Sequence, residues 1–251
     1  MRVQSRIMSV NRREKGTAMS AIGESSGSGE VMIACNTLRT EIEHVMERRG
    51  VERPVVWLES KLHNVPSNLK DALQQAVDEV EGAHTVLLGF GNCGNVVQGI
   101  VARDFQLIVP RLDDCVSLVL GSQRRRERYS QEHHALYFTD GWMDKGHNIL
   151  DEYASACERY GEEDANDVFD MMYIHYDTMA FLDTGLYDVQ ELMERTRSIA
   201  ELIETDQRVE PATLAYVERL VCGPWTDDLF VRVGPNEAIP PAPFMQPGSV
   251  L

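Results

Sequence analysis

The sequence predicts an α/β protein built on a Rossmann-like, doubly wound and mostly parallel sheet, with a helical C-terminal portion. From residue 31 onward, short apolar runs of strand type alternate with stretches that have the spacing of amphipathic helices. Several of these stretches begin or end at residues typical of helix caps. Beyond residue 148 the apolar positions recur mainly with helical spacing. These three observations together indicate the fold class.

Five apolar runs are the predicted strands of this sheet. Each is short and is followed by a turn or by a helix pattern. In chain order they span residues 31–35, 55–58, 84–90, 106–109 and 135–138. Five successive strand–helix units imply a single doubly wound sheet.

The intervening stretches are predicted helices. Residues 36–49 place their apolar side chains on one face, and Gly50 closes this helix as a C-terminal cap. Ser67 is the predicted N-cap of the second helix, and a short helix is predicted to start near Asn95. Further helices are predicted at 115–131, 149–160, 189–204 and 214–221, and further strands at 179–182 and 229–233.

The chain is predicted to have three segments. Residues 1–30 contain five basic residues, have no continuous apolar run and end in a Gly/Ser-rich stretch, which predicts a disordered leader. Residues 31–238 are predicted to form a single α/β domain that is rich in helix after residue 148. Residues 239–251 are rich in proline and predict a loose tail.

Charge and composition exclude several classes of protein. The chain has 24 Lys and Arg against 40 Asp and Glu, and its net charge of -16 disfavours a nucleic-acid partner. The uncharged run at 85–101 is interrupted by Gly, Asn and Gln and is shorter than the ~20 apolar residues that cross a bilayer, so no membrane span is expected. Five cysteines without close pairs favour a reducing cytoplasm over a disulfide framework.

The strongest chemical signal is a set of thiol and imidazole side chains in the loops after four predicted strands. Ligands of open α/β sheets bind at the carboxyl ends of the strands. The set, named here the Cys/His cluster, consists of Cys35, His63, Cys93 and Cys115. Thiolate and imidazole are ligands that a thiophilic metal such as zinc selects, so these four residues are the predicted zinc ligands, in a Cys3His or a three-ligand site. A second interpretation stays open, in which small cysteines fill the core at the top of the sheet.

Cys93 lies in a glycine-rich segment and is the predicted catalytic thiol. The Gly-x-Gly-x-x-Gly spacing there follows the third strand rather than the first, which does not favour a dinucleotide site. Gly91, Gly94 and Asn95 are instead predicted to let the backbone approach a bound cofactor closely. A helix that starts near Asn95 would favour the thiolate form of Cys93.

Polar residues beside the last cysteine of the cluster are further candidates. Asp113 and Asp114 directly precede it, and Asp114 is predicted to take part in catalysis by handling protons or orienting a ligand. The other interpretation of an aspartate there is a helix N-cap. Arg111 is a predicted binding residue for a cofactor or substrate carboxylate. Trp142 and Trp225 either flank a planar or cationic ligand or pack in the core.

Motifs distributed along the chain carry a family resemblance. They are Ile33-Ala-Cys35 with Leu38 and Glu41, Leu62-His63-Asn64, the segments 89–95 and 110–115, Leu120-Gly-Ser122, Gly141-Trp142, Asp183-Thr-Gly185, Gly223-Pro-Trp225 and Gly234. On these residues the chain resembles the DUF1638 family of proteins of unknown function over roughly residues 31–238. The Cys/His cluster matches the cysteine and histidine positions of the family motifs. Asp113 departs from the pattern, because histidine often stands at that position.

The resemblance implies a role in one-carbon metabolism, because family members are often encoded near corrinoid-dependent methyltransferases for methylamines and glycine betaine. We therefore expect a cytoplasmic zinc–thiolate enzyme of the methyltransferase type. Its substrate would be a small molecule such as a methylated amine, and its partner a corrinoid protein. Two other interpretations stay open: an iron–sulfur or redox accessory protein, and a non-catalytic binding partner of a corrinoid methyltransferase system.

Overall fold

The computed structural model describes residues 6–8, 29–143 and 148–241, and these form two sheets flanked by helices. The predicted α/β fold class is confirmed. The strands in chain order are β1 (Arg6–Met8), β2 (Glu30–Cys35), β3 (Val55–Leu58), β4 (Thr85–Gly89), β5 (Gln106–Pro110), β6 (Ala135–Phe138), β7 (Thr178–Asp183), β8 (Asp206–Pro211) and β9 (Phe230–Val233).

The α-helices are α1 (Arg39–Arg49), α2 (Pro66–Asp78), α3 (Cys115–Leu120), α4 (Gln123–Glu132), α5 (Ile149–Tyr160), α6 (Glu162–Tyr173), α7 (Val189–Leu202) and α8 (Ala215–Cys222). Short 3-10 helices at Asn36–Leu38, Ser60–Asn64, Cys93–Asn95 and Asp140–Met143 follow β2, β3, β4 and β6. They therefore lie at the carboxyl ends of strands, where the predicted site residues are also found.

The larger sheet has the strand order β1-β3-β2-β4-β5-β9. Its strands are parallel except β9, which pairs antiparallel with β5. The central strands β2, β4 and β5 are buried along almost their whole length. Strands of a parallel sheet that is covered on both faces have continuous apolar sequences, which is why these three are recognisable from sequence.

The smaller sheet contains β6, β7 and β8, all parallel and in that order. The prediction that 135–138 forms a fifth strand of the main sheet is therefore wrong. The place beside β5 is occupied by β9, which returns from the C-terminal part of the chain. Strand β8 was not predicted, because its sequence Asp-Gln-Arg-Val-Glu-Pro is polar and forms a half-exposed edge with no apolar run.

Two helix boundaries differ from the prediction. The helix predicted over 115–131 is two helices, because Gly121 adopts a left-handed conformation with φ of 74° and ends α3, and the Ser122 side chain then caps α4. Ser67 is not an N-cap, since α2 begins at Pro66. Proline is favoured at the first helical position, where its missing N–H costs nothing.

Each sheet has its own apolar core, and the two parts of the molecule meet at strand ends. Thr40, in the first turn of α1, donates a hydrogen bond from Oγ1 to Asp140 Oδ2 over 3.3 Å. Gly141 packs so closely on this region that a Cβ atom placed on it would lie 2.1 Å from the Thr37 carbonyl oxygen. The carboxyl ends of β2 and β6 therefore face each other across a tight contact.

The predicted terminal segments lie mostly outside the described residues. Of the predicted leader, Arg6–Met8 forms strand β1 beside β3, and Glu30 begins β2. Of the predicted tail, Ile239 is buried and exchanges backbone hydrogen bonds with 99–100, so the main core extends one residue into that segment. No described helix combines the length and apolarity needed to cross a membrane.

Candidate metal centre

The Cys/His cluster assembles at the carboxyl edge of the main sheet. Cys35 is the last residue of β2, and His63 lies in the 3-10 helix that follows β3. Cys93 begins the 3-10 helix after β4, and Cys115 is the first residue of α3 after β5. The four side chains predicted as ligands are thus brought together by four neighbouring parallel strands, as the strand-end rule requires.

Three of the four predicted donor atoms lie close enough together to share one metal ion. Cys93 Sγ lies 3.6 Å from Cys115 Sγ, and Cys35 Sγ lies 4.0 Å from His63 Nε2. The ligand atoms of Cys35, His63 and Cys115 all lie within 4.8 Å of one another. A tetrahedral zinc ion with Zn–S bonds of about 2.3 Å places its sulfurs roughly 3.8 Å apart. Cys35, His63 and Cys115 therefore fit a single ion of this size and ligand preference. Cys93, the fourth predicted ligand, contacts Cys115 and does not lie within 4.8 Å of all three donor atoms.

The ring of His63 is oriented for coordination. Its Nδ1–H donates to the Ser60 carbonyl oxygen over 2.9 Å, within the same 3-10 helix. Nε2 then points toward Cys35. Metal-binding histidines typically donate the second ring N–H to a carbonyl or carboxylate in this way, which fixes the tautomer and the ring plane.

Cys35 also has a hydroxyl neighbour that ligand spacing alone does not reveal. The Sγ atom of Cys35 lies 3.0 Å from Thr37 Oγ1, and both residues are buried. A hydroxyl that donates to a thiolate stabilises its negative charge and fixes its direction. Thr37 is therefore a positioning residue for Cys35.

The charges of the metal-free cluster follow from its hydrogen bonds. Burial of Cys35 disfavours its thiolate, yet hydrogen bonds with Cys115 and His63 and the charge of His63 hold the pKa of this thiol well below its ordinary value. Burial likewise opposes the charged form of His63, but hydrogen bonds and charge interactions with Cys35 and Cys93 raise its pKa to about 11. Cys35 and His63 thus form a thiolate–imidazolium pair near neutral pH.

The pKa values of the other two thiols are shifted in opposite directions. The hydrogen bond with Cys115 outweighs burial and, with the charge of His63, lowers the pKa of Cys93 to about 6. Cys115 keeps its proton, because hydrogen bonds to Cys35 and Cys93 and its burial raise the pKa of its thiol well above the ordinary value. These pKa shifts therefore favour thiolates at Cys35 and Cys93, a thiol at Cys115 and an imidazolium at His63.

Loop packing explains how Cys93 reaches Cys115. A Cβ atom on Gly91 would lie 2.2 Å from the carbonyl carbon of Asp114, so only glycine allows the loops after β4 and β5 to touch. The N–H of Asn92 donates to the Leu112 carbonyl oxygen over 2.8 Å and fastens the same two loops. Gly91 thus brings two protein loops together, which is a different use of this glycine from the predicted cofactor contact.

Asp114 is the N-cap of α3. Its Oδ1 accepts hydrogen bonds from the N–H and the hydroxyl of Ser117, each 2.7 Å long, and its Oδ2 lies 3.0 Å from Arg126 Nε. Both carboxylate oxygens are thus committed to neighbours within the fold. The structure favours the capping interpretation, in which Asp114 fixes the first turn of α3 and so the position of Cys115.

Two of the other predicted binding residues shape the loop around Cys93. Gly94 and Asn95 both have positive φ, 58° and 65°, so the short 3-10 turn is interrupted there and no α-helix starts at Asn95. The helix dipole invoked for Cys93 is therefore not the cause of its low pKa. Asn95 Oδ1 accepts hydrogen bonds from the amides of Asn92 and Gln98, at 3.0 and 2.8 Å.

The remaining candidates contact other parts of the main sheet. Arg111 donates from its backbone N–H to Leu229 and from Nε to the Asp227 carbonyl oxygen, which ties β5 to the start of β9. The Trp225 indole N–H donates to the Leu220 carbonyl oxygen over 2.9 Å. Trp142 is half-buried against the main core. For Trp225 these contacts favour the packing interpretation.

One charged residue of the region was given no role by the sequence analysis. Glu41 is fully buried, although it belongs to the first turn of α1, where an acidic side chain usually lies in solvent and favours the helix N-terminus. The available signal was its spacing, three residues after Leu38 and four before Val45, which places it on the apolar face of the helix.

A family model described as a protein of unknown function (DUF1638) matches residues 57–221. His63, Cys93 and Cys115 lie within the matched range, and Cys35 precedes it. No curated protein and no solved structure matches the chain. The match spans well over half of the sequence, and the chain therefore belongs to the DUF1638 family.

Proposed function

We propose that the protein holds one zinc ion at the Cys/His cluster and uses this centre for the transfer of a methyl group. The observation that carries the proposal is the convergence of the Cys35 and Cys115 sulfurs and the His63 imidazole, whose ligand atoms all lie within 4.8 Å of one another. Cys93 Sγ, 3.6 Å from Cys115 Sγ, is the fourth donor that we propose joins them. Two of the three thiols already favour the thiolate form that a metal requires.

The donor spacing favours zinc over a [4Fe–4S] cluster. Each cysteine ligand of such a cluster binds a different iron atom, so the ligand sulfurs lie farther apart than the edge of a single-ion tetrahedron. Cys93 and Cys115 are only 3.6 Å apart. A site of this kind needs reduced thiols, which supports a cytoplasmic location for the protein.

Burial assigns different tasks to the ligands. Cys35 and Cys115 are buried and would anchor the ion with His63, whereas Cys93 is only half-buried. Bound zinc would supply Lewis acidity and keep a coordinated thiol ionised near neutral pH. Cys93 is then the sulfur that a substrate reaches first. Its low pKa, about 6, suits a nucleophile that acts at neutral pH.

The donor we favour is a methyl-corrinoid, as the family resemblance suggests. In the transfer, a lone pair of Cys93 Sγ forms the new S–C bond. The Co–C bond breaks, and its electron pair stays on cobalt. No proton needs to move in this step, because Cys93 reacts as the thiolate.

The metal is tested by elemental analysis of protein purified without oxygen. We expect about one zinc per chain in the wild type and in Cys222→Ser, whose thiol is exposed and outside the cluster. Cys35→Ser should contain little zinc. Several irons per chain with a brown colour would replace the proposal with the redox alternative, and the absence of any metal would refute it.

Methyl transfer is tested with methylcobalamin. Zinc-loaded protein should convert it to the cob(I)alamin spectrum while the mass of the peptide that carries Cys93 rises by one methyl group. Cys222→Ser should react like the wild type, and Cys93→Ser should not react. Zinc-loaded protein that binds the corrinoid without accepting the methyl group would contradict the enzymatic assignment and favour a binding role.

A further inference from the structure

Glu41 is buried without a side-chain partner among the described residues. Its residue exposure is 0%, and within the described part of the chain neither carboxylate oxygen has a hydrogen-bond partner. An ionisable group in this situation destabilises the fold unless something pairs with it. A carboxyl group kept in such a position indicates that the position has a use.

That place is the contact between the two sheets. Glu41 lies six residues after Cys35, in the first turn of the helix that follows β2. The neighbouring Thr40 hydroxyl binds Asp140, which follows β6 of the smaller sheet. Glu41 and Asp140, named here the acid pair, thus lie where the carboxyl ends of two parallel sheets meet. Ligands of α/β proteins bind at such edges.

Other polar groups belong to the region of the acid pair. Burial, together with the negative charge of Asp140, raises the pKa of Glu41 to about 7. The Tyr187 hydroxyl donates to the Leu182 carbonyl oxygen, and burial and the charges of Glu41, Asp183 and Asp140 raise the pKa of this phenol. The buried Thr139 hydroxyl, next to Asp140 in sequence, also has no hydrogen-bond partner among the described residues.

We propose that the acid pair is a subsite for the protonated amino group of a small molecule. An ammonium group offers a positive charge and up to three N–H donors, which would satisfy the oxygens of Glu41 together with Asp140. The subsite goes beyond the proposed function, because its binding of an amino group does not depend on methyl transfer at Cys93. Because Glu41 is enclosed, the group that reaches it must be small.

Two other cations fit less well. A hard metal ion such as Mg²⁺ needs several converging oxygen ligands. Among the described residues, the group of His, Cys, Asp and Glu side chains that converges closely enough to hold a metal is the one at the Cys/His cluster, not at the acid pair. A quaternary ammonium ion has no N–H to donate and is usually recognised by aromatic faces. The amino group therefore must carry protons.

The experiment is calorimetric titration of the zinc-loaded protein with methylammonium chloride at pH 8, in an amine-free buffer. We expect saturable binding in the wild type and at least tenfold weaker binding in Glu41→Gln. Glu43→Gln is the matched control, because Glu43 lies in the same helix turn, is exposed and pairs with Arg39. It should bind like the wild type. Tetramethylammonium and Mg²⁺ should not compete.

Several results would overturn the assignment. They are the absence of methylammonium binding, equal binding by Glu41→Gln, or equal competition by tetramethylammonium or Mg²⁺. Thermal unfolding at pH 8 without ligand gives a readout that does not depend on binding. Glu41→Gln should be at least as stable as the wild type, because it removes an unpaired buried charge, whereas a clear loss of stability would show that Glu41 is structural. Zinc content should be unchanged in Glu41→Gln, so the proposed metal site and the proposed amine subsite are tested independently of each other.

Discussion

The Cys/His cluster and the acid pair each have one member in the β2–α1 segment, Cys35 and Glu41, but their polar groups are buried in different environments. In the cluster every donor atom has another member or a second neighbour within 4.0 Å, and the charges are shared between two thiolates and an imidazolium. In the acid pair, Glu41 is enclosed beside another carboxylate. The cluster is thus preorganised before any ligand arrives, whereas the acid pair is completed only by a cation.

The difference is also one of ligand chemistry. Sulfur and imidazole donors select a soft or borderline metal ion, while carboxylate and hydroxyl oxygens select hard cations and N–H donors. Cys35 and Glu41 are only six residues apart, so two sites of different preference are carried by one strand–helix connection. Breaking each site separately is therefore the clearest way to test whether they serve different ligands.

The largest expected effect comes from removing the metal. A ligand present at about a thousand times its Kd stabilises the fold by about 4 kcal/mol. A chelator removes this stabilisation, and the Tm of the wild type should then fall by about 10 °C for a chain of this size. Cys35→Ser should already have the lower Tm, and a chelator should change it little. Scanning calorimetry with and without chelator measures both. A wild-type Tm that ignores the chelator would show that the cluster is stable without metal.

The second effect tests the acid pair through pH. The pKa of Glu41 is raised from 4.5 to about 7 in the folded state. Between these pH values the unfolded chain has lost a proton that Glu41 keeps in the folded chain. The contribution of protonated Glu41 to the free energy of unfolding is therefore fully present below pH 4.5 and is lost as the pH rises through 7. The loss amounts to about 3 kcal/mol. Glu41→Gln should lack this component in urea unfolding curves measured at pH 5 and pH 8, and an identical pH dependence would contradict the account.

The third effect concerns protons released by metal binding. Near pH 7, His63 and Cys115 are protonated in the metal-free cluster and must lose their protons to become ligands. We expect about two protons released per zinc, and therefore an apparent affinity that rises about 100-fold per pH unit near neutrality. Calorimetry in buffers of different ionisation enthalpy counts these protons. His63→Gln should release one fewer, and a release near zero would disprove the assigned charges.

The smallest expected effect concerns a residue that positions a metal ligand without binding the metal itself. Thr37→Val removes the hydroxyl beside Cys35 with little change of volume, and loss of such a support typically weakens metal binding by about 10-fold or more. Competition against a zinc-sensitive dye measures this. Thr40→Val is the matched control, since its hydroxyl binds Asp140 and should leave zinc affinity unchanged. Equal affinities for the wild type and Thr37→Val would remove Thr37 from the site.

The two sites also differ in how far sequence could predict them. The approach of Cys35, Cys93 and Cys115 follows from the order of apolar strands, because the carboxyl ends of neighbouring parallel strands share one edge. The acid pair depends on contact with the smaller sheet, whose polar strand β8 gives no apolar signal. Nor does spacing show that Gly91 contacts Asp114, or that Asp114 is used up as a helix cap. Packing between distant segments decided these roles.

X-ray absorption at the zinc edge is the most direct test of the central claim. For the wild type the account predicts a first shell of three sulfurs at about 2.3 Å and one nitrogen at about 2.0–2.1 Å. Cys93→Ser should retain two sulfurs, and Cys222→Ser should keep the wild-type shell. A zinc shell of oxygen and nitrogen alone, or one unchanged in Cys93→Ser, would contradict the assignment of the Cys/His cluster as the metal centre.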